Sequence, residues 1–119
     1  MSNTVSIHPY FNVHEGKLDA AKALLPKLIE VTSKEENCLW YDFSISDHVI
    51  HCREAYIGAE GLLTHIGNVD PLIQAMLEIS ELVRVEIHGP AEELAKLKEP
   101  LAALNPEYFD FLCGIGKPS

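Results

Sequence analysis

The 119-residue sequence predicts one α+β domain in which helices cover one face of an antiparallel sheet. Three observations lead to this fold class. Segments with the two-residue period of strands alternate along the chain with segments that have the period of helices. Glycine, proline and asparagine separate these segments, and no repeat, linker or low-complexity stretch interrupts them. Apolar residues make up 47% of the chain, enough for a folded core at this length.

The first half of the chain predicts a strand, a helix and a hairpin. Residues 5–14 alternate between apolar and polar side chains, as a strand with one buried face requires. Residues 17–34 carry apolar residues at helical spacing, and Pro26 among them predicts a kink. Residues 38–46 and 48–57 alternate again, so the turn between them joins them as a hairpin.

The second half predicts two short helices and a fourth strand. Residues 59–66 have helical spacing, and Gly67 is a typical helix stop. Pro71 suits the first position of a new helix over residues 71–79. Residues 82–88 alternate as a strand does, which completes the order βαββαβ.

This order predicts a ferredoxin-like sandwich that occupies the whole chain, residues 1–119, as a single domain. Its core is expected at about residues 3–88. The remaining residues 89–119 are expected to form a C-terminal extension, mainly helical, with a short strand candidate at residues 108–112.

The alternation assigns the strand residues to two faces of the sheet. Positions expected to face the helices are 5, 7, 9, 11, 13, 39, 41, 43, 45, 83, 85 and 87. The opposite, open face is expected to carry His8, Tyr10, Asn12, Trp40, Asp42, Glu54, Tyr56, Arg84, Glu86 and His88. Aromatic residues there would form an exposed patch on a monomer, so two sheets are expected to pack face to face. The sequence therefore predicts a homodimer, a dimeric α+β barrel, with an aromatic-walled ligand pocket in each subunit.

One strand conflicts with this assignment. If Glu54 and Tyr56 face the pocket, alternation places His51 and Arg53 on the helix side, where they have no evident partner. Either the hairpin tip projects beyond the helices, or a bulge near Cys52 shifts the register. We favour the projecting tip.

The charge excludes some classes of function. Eighteen acidic against nine basic residues give a net charge of −9, so neither nucleic acid nor an acidic membrane surface is an expected partner. No apolar run has the length of a membrane span, and the first four residues start no secretion signal. We therefore expect a cytoplasmic protein. The three cysteines Cys38, Cys52 and Cys113 form no CxxC pair and are expected to be reduced, and no HxH or HxxxH spacing predicts a metal.

Three segments carry a resemblance to a known family. They are the Asn37-Cys38-Leu39-Trp40-Tyr41 strand, the Glu54-Ala55-Tyr56 strand and the helix at residues 59–66, which contains His65. Together with Gly16-Lys17 before the first helix, they resemble the antibiotic biosynthesis monooxygenase family over about residues 5–88. This chain has Asn37 where the family usually has glycine, and Tyr56 where tryptophan is common. The resemblance implies a dimeric ferredoxin-like α+β barrel.

The same family includes cofactor-free quinol and polyketide oxygenases, haem-degrading enzymes and members without known activity. The haem-binding histidine of that branch has no counterpart at residues 72–79, and no glycine-rich dinucleotide motif precedes a helix. We therefore expect no cofactor, with the electrons for any oxidation supplied by the substrate.

A cofactor-free oxygenase needs a base, hydrogen-bond donors that hold the resulting anion, and an apolar cavity that admits oxygen. His8 and His88 are the candidate bases because imidazole titrates near neutral pH, and Asn12 is the third candidate catalytic residue, as an anion donor. The candidate substrate-binding residues are Tyr10, Trp40, Glu54, Tyr56, His65 and Arg84. Each has a structural alternative: dimer packing for the aromatic residues, an ion pair between Glu54 and Arg84, and a helix-end cap for His65.

Three functions follow from this sequence. The leading hypothesis is a cofactor-independent monooxygenase, an oxidoreductase, acting on a small hydroxylated aromatic or quinol. Its main rival is a homodimer of the same fold that binds a small aromatic molecule without turning it over. A lyase or isomerase on the same scaffold is the third, because function resides in the site and not in the fold.

Overall fold

The computed structural model describes residues 2–116, and their order of elements is βαββαβ followed by a short C-terminal segment. The elements are β1 (Thr4–Val13), α1 (Leu18–Thr32), β2 (Cys38–Ser46), β3 (Val49–Ile57), α2 (Gly58–Ile79), β4 (Ser80–Gly89), α3 (Ala91–Ala95), a 3₁₀ turn (Ala102–Leu104) and β5 (Glu107–Asp110). In the described part of the chain, no helix is both long and apolar enough to cross a membrane.

The strands form one sheet in the order β2-β3-β1-β4-β5. The first four strands pair antiparallel, which confirms the predicted ferredoxin-like α+β arrangement. The fifth strand belongs to the C-terminal extension and lies parallel to β4, so the complete sheet is mixed. The physical reason is the connection: after β4, α3 and the 3₁₀ turn carry the chain back along the sheet, so that β5 starts beside Glu86 and runs in the same direction as β4.

The second helix is longer than the sequence predicts. We expected a stop at Gly67 and a new start at Pro71, but α2 runs without a break from Gly58 to Ile79. Its buried residues Leu62, Val69 and Met76 share one face against the sheet, and this continuous apolar face outweighs the local stop signals. Tertiary packing decides the helix length here.

The helix-facing side of the sheet holds most of the core. Val5, Ile7, Phe11 and Val13 of β1 are all buried, as the alternation predicts. Leu39, Ile45 and Val83 were expected on the same side, yet 45%, 47% and 51% of their surfaces are exposed. Leu39 lies at a register shift of β2, and Val83 at a shift in the pairing of β4 with β1 that turns Leu82 toward the core instead. Ile45 lies near the tip of the β2–β3 hairpin.

Strand β3 is the main correction to the predicted faces. Glu54 pairs with Ile7 and Tyr56 pairs with Val5, so both lie on the helix side, 5% and 0% exposed. Directly paired residues share a face of the sheet, so His51 and Arg53 lie on the open face. Both explanations that we considered were wrong, because the β1–β3 register is continuous and the bulge in β2 lies at its start.

A backbone test concerns the junction between β3 and α2. Gly58 has a φ of +69°, and a Cβ there would lie 3.0 Å from Glu93 Oε1. We expect Gly58→Ala to lower the free energy of unfolding by about 1–2 kcal/mol, because the left-handed region disfavours L residues. Gly67→Ala is the matched control: it lies inside α2 with nothing within 4 Å of its Cβ, so it should stabilise by about 0.5–1 kcal/mol. Urea unfolding measures both, and equal effects of the two changes would contradict the assignment.

Candidate functional site

A cavity of about 270 Å³ lies between the helix-facing side of the sheet and α2. Its volume is at the small end of the range for ligand pockets. Apolar side chains form most of the wall, among them Phe11, Phe43, Leu62, Ile73, Leu77 and Val85. The titratable side chains that line it are Tyr41, Cys52, Glu54, His65 and Asp70. No lysine or arginine is among the described residues that line the cavity.

Glu54 is the buried acid of this cavity. Strand β3 places it on the helix side, where only 5% of its surface is exposed. Tyr56 Oη donates a hydrogen bond to Glu54 Oε1 at 2.5 Å, and His65 Nε2 lies 3.3 Å from the same oxygen. Both contacts use Oε1, so Oε2 is the oxygen that neither residue contacts.

Burial raises the pKa of Glu54 from its usual 4.5 to about 7. Hydrogen bonds from Tyr56 and Cys52 favour the ionised form and oppose this rise, while the charge of Glu35 reinforces it. Burial also raises the pKa of Cys52 and Tyr41, so both remain protonated and neutral at physiological pH. Glu54 is therefore close to half-protonated at neutral pH, as a general acid or base should be.

His65 connects Glu54 to a second carboxylate. It lies in the interior of α2, 3% exposed, so the predicted role as a helix-end cap was wrong. Its Nδ1 lies 3.0 Å from Glu35 Oε2, on the loop between α1 and β2, and Asn68 Nδ2 donates a hydrogen bond to the same oxygen. Burial lowers the pKa of His65, although Glu35 opposes this effect.

These contacts define one proton-transfer chain, Glu35–His65–Glu54. A neutral His65 with its proton on Nδ1 donates to Glu35, which leaves the lone pair of Nε2 facing Glu54. A carboxylate that holds a histidine in one tautomer is a recurring way to position a catalytic imidazole. The chain can therefore deliver a proton to a ligand in the cavity and take one back.

The open face carries a second cluster, of stacked rings. His8 lies 4.6 Å from His88 and 5.9 Å from His51 between ring centroids, and His51 stacks on Tyr10 at 4.2 Å. Ser6 Oγ lies 2.9 Å from His8 Nε2. Burial, followed by the neighbouring His88 and His51, lowers the pKa of His8 to about 4. His8 is therefore neutral at physiological pH and able to accept a proton.

Ion pairs surround this cluster. Arg84 contacts Glu86 at 2.6 Å and Glu107 at 3.4 Å, and His88 Nε2 lies 3.0 Å from Glu86. The predicted pairing of Arg84 with Glu54 was wrong, because the two residues lie on opposite faces of the sheet. A further ion pair on the open face joins Arg53 of β3 to Asp42 of β2, at 3.0 Å.

The structure thus divides the sequence-predicted site residues into two groups. His8, Tyr10, Asn12, Trp40, Arg84 and His88 belong to the open face, whereas Glu54, Tyr56 and His65 belong to the buried site. Sequence reasoning missed Glu35, Tyr41 and Cys52 as site residues. Alternation with Glu54 and Tyr56 could have indicated Cys52, but no local signal marks Glu35, a loop glutamate among many acidic residues. Over residues 2–116, no group of three or more histidine, cysteine, aspartate or glutamate side chains has the geometry of a metal site.

The fold is of the α+β type that is also found in structures named antibiotic biosynthesis monooxygenases. A structure of a protein of that name matches with a TM-score of 0.62 and 16% identity, over 70% of this chain and 92% of its own. A Nitrosomonas europaea protein provisionally given the same name matches with a TM-score of 0.68 and 15% identity, over 76% of this chain and 93% of its own. At these identities the likeness shows the fold alone. No family model and no curated protein sequence matches the chain.

A more specific relationship comes from MupZ of Pseudomonas fluorescens. Its crystal structure matches with a TM-score of 0.94 and 42% identity, over 99% of this chain and 92% of that chain. The chain belongs to the same family as MupZ. This match covers nearly the whole chain and therefore includes the C-terminal segment, whereas the two matches above cover 76% and 70% of it.

Proposed function

We propose that this protein is an acid–base enzyme that transfers a proton from Glu54 to a neutral oxygen of a mainly apolar small molecule. The observation that carries the proposal is a buried carboxyl group, with a pKa near 7, in a mainly apolar cavity that no lysine or arginine of residues 2–116 lines. Glu35 and His65 position the group, since His65 lies 3.3 Å from Glu54 Oε1 and 3.0 Å from Glu35 Oε2. A pKa near the working pH gives the best balance between protonation state and acid strength.

The first step breaks a bond between carbon and oxygen. As Glu54 donates its proton, the electron pair of the C–O bond moves to the oxygen, which leaves as a neutral hydroxyl group. The Glu54 carboxylate then accepts a proton from the adjoining carbon, whose electron pair forms the new double bond. The products are an alkene and water or an alcohol, so the reaction is an elimination; where the C–O bond belongs to a ring, both parts stay in one molecule and the reaction is an isomerisation. Atoms and electrons balance within the substrate, so no external electron acceptor is needed.

The charge around the cavity favours this chemistry over oxygenation of a phenolate. An oxygenase must stabilise an anion, and the donors that we expected to hold it, Tyr10 and Asn12, belong to the opposite face of the sheet. The cavity itself contains Glu54 and Asp70, whose charges would repel an anionic intermediate. A neutral oxygen that gains a proton meets no such repulsion. We therefore place the protein in the lyase or isomerase class.

An anaerobic assay tests the reaction type. Neutral aliphatic substrates with a hydroxyl or a cyclic ether oxygen are incubated with the protein under nitrogen and in air, and products are identified by mass spectrometry. We expect the same product at the same rate in both atmospheres, with its mass equal to that of the substrate or lower by one water. A product that forms only in air and has gained oxygen would contradict the proposal.

A second candidate function, supported by the open face, is the cofactor-independent monooxygenase acting on a hydroxylated aromatic or quinol. The neutral His8, 4.6 Å from His88 between ring centroids, is the candidate base there, and the Trp40 side chain, 45% exposed, lies on the same face. The names of the distant structural relatives point in the same direction. This function requires a homodimer, since only a second sheet packed on the open face would enclose these side chains.

Two measurements test this second candidate function. Sedimentation at micromolar concentration reports the dimer, and an oxygen electrode with a quinol panel reports the oxygenase. Uptake that disappears in the double variant His8→Ala/His88→Ala and persists in Glu54→Gln would place catalysis on the open face. A monomer without uptake would exclude it, and tight binding of an aromatic molecule without turnover would favour a binding protein.

A further inference from the structure

The C-terminal segment, residues 90–106, packs against the core of the domain. Leu94 and Leu97 are fully buried, and Leu101 is 4% exposed in the cluster formed with β1 and α2. Glu93 Oε1 accepts a 2.8 Å hydrogen bond from the Ala59 backbone N–H, near the start of α2. On the far side of the segment, β5 pairs with β4. The segment is therefore a fixed part of the fold.

This segment also forms one wall of the cavity. Pro100, Leu101, Ala103 and Leu104 line it together with α2 and the sheet. Exposure gives the depth of each lining residue: Glu54 and His65 are buried, whereas Pro100 and Ala103 are exposed. The acid thus lies at the deep end of the cavity and the C-terminal segment near its mouth.

The cavity also has two exposed, polar lining residues. Asp70 and Gln74 of α2 are exposed lining residues, and Gln74 Nε2 lies 3.4 Å from Asp70 Oδ1. With a net charge of −9 on the whole chain, Asp70 disfavours an anionic group nearby. A neutral substrate meets both apolar lining residues and hydrogen-bonding groups.

We propose that residues 100–104 determine the length of the substrate, which is an elongated, uncharged and largely aliphatic molecule. Its oxygen function lies at Glu54, and its far end contacts Ala103 and Leu104. This inference rests on the proposed function for the placement of the oxygen at Glu54. The two monooxygenase-type structures match 76% and 70% of this chain, which is about the share that β1 to β4 make up. MupZ matches 99% of the chain, so its match includes residues 100–104.

Binding of 1-alkanols from butanol to decanol tests the wall without any assay of turnover. Each added methylene should strengthen binding about fourfold until the chain reaches the mouth, where the gain stops. The chain length at which the gain stops is the length limit. Leu104→Ala should raise this limit by about one or two carbons, because the substitution removes atoms from the cavity wall. Ala103→Phe should move it down by a similar amount. Calorimetry or NMR titration measures the dissociation constants, and thermal unfolding checks that each variant is folded.

The matched control is Ala102→Phe, an exposed alanine of the same 3₁₀ turn that does not line the cavity. It should leave the limit unchanged. Octanoate should bind at least tenfold more weakly than 1-octanol, because its carboxylate would be buried near Glu54 or face Asp70. A limit that does not respond to Leu104→Ala or Ala103→Phe, or that responds equally to Ala102→Phe, would overturn the inference.

The proposed function fails in a different way. If Glu54→Gln retains full turnover while the alkanol length limits shift as expected, the role of residues 100–104 is supported and the role of Glu54 as the acid is contradicted. If Glu54→Gln abolishes turnover while the length limits do not move, the role of Glu54 is supported and the role of residues 100–104 is contradicted.

Discussion

Glu54→Gln is expected to lower kcat by about 10²–10⁴-fold with little change in substrate binding. Glutamine keeps the shape of the side chain and an oxygen that accepts the Tyr56 hydrogen bond, but its amide has no acidic proton to transfer. Losses of this size are typical when a general acid is removed. The measurement is steady-state kinetics, with kcat and KM determined separately.

The pH dependence of wild-type kcat provides the internal check. A general acid works only when protonated, so kcat should fall as the pH rises through about 7, the pKa to which burial raises Glu54. Residual activity of Glu54→Gln should lack this decline. Glu78→Gln, on the exposed part of α2, is the control and should match the wild type. A wild-type kcat that instead rises through pH 7 would assign Glu54 the role of a base.

Stability should depend on pH through the same carboxyl group. In the unfolded chain Glu54 loses its proton near pH 4.5, whereas in the folded protein it keeps that proton up to about pH 7. Between these two values the folded state binds more protons, so rising pH lowers the free energy of unfolding. The loss is about 3 kcal/mol by pH 7, and it stops once the folded group has also ionised.

Comparison with Glu54→Gln isolates this contribution. Burial lowers the pKa of His65, which acts in the opposite direction by weakening the fold as the pH falls below about 6.5, but His65 is present in both proteins. The glutamine variant should therefore gain about 3 kcal/mol relative to the wild type between pH 4.5 and pH 8. Urea unfolding at a series of pH values measures the difference. Parallel curves for the two proteins would show that Glu54 ionises normally in the fold.

The fold was largely predictable because its strands and first helix carry clear periodic patterns. Strand β1 is the clearest case: its alternation assigned Val5, Ile7, Phe11 and Val13 to the core correctly. Helix α2 was less predictable, since Gly67 and Pro71 are genuine local stop signals. The apolar face beneath them keeps the helix continuous, and that face has an effect only when the sheet is present.

The candidate site was predictable in its residues and not in its arrangement. Glu54, Tyr56 and His65 were all selected from the sequence, but the first two were assigned to the wrong face. A glutamate in an alternating strand ordinarily faces water, because burying a charge without partners is costly. Its partners come from elsewhere along the chain: His65 from α2 and Glu35, through His65, from the loop after α1.

The sequence by itself determined the βαββαβ order, the core of β1 and the acidic character of the protein, because each depends on local spacing or on composition. Only the tertiary structure decided that Glu54 is buried beside His65, that α2 continues through its stop signals, and that the C-terminal segment forms a wall of the cavity. Each of these depends on contacts between residues distant in the chain. Such contacts compensate for locally unfavourable choices, and a one-dimensional pattern does not contain them.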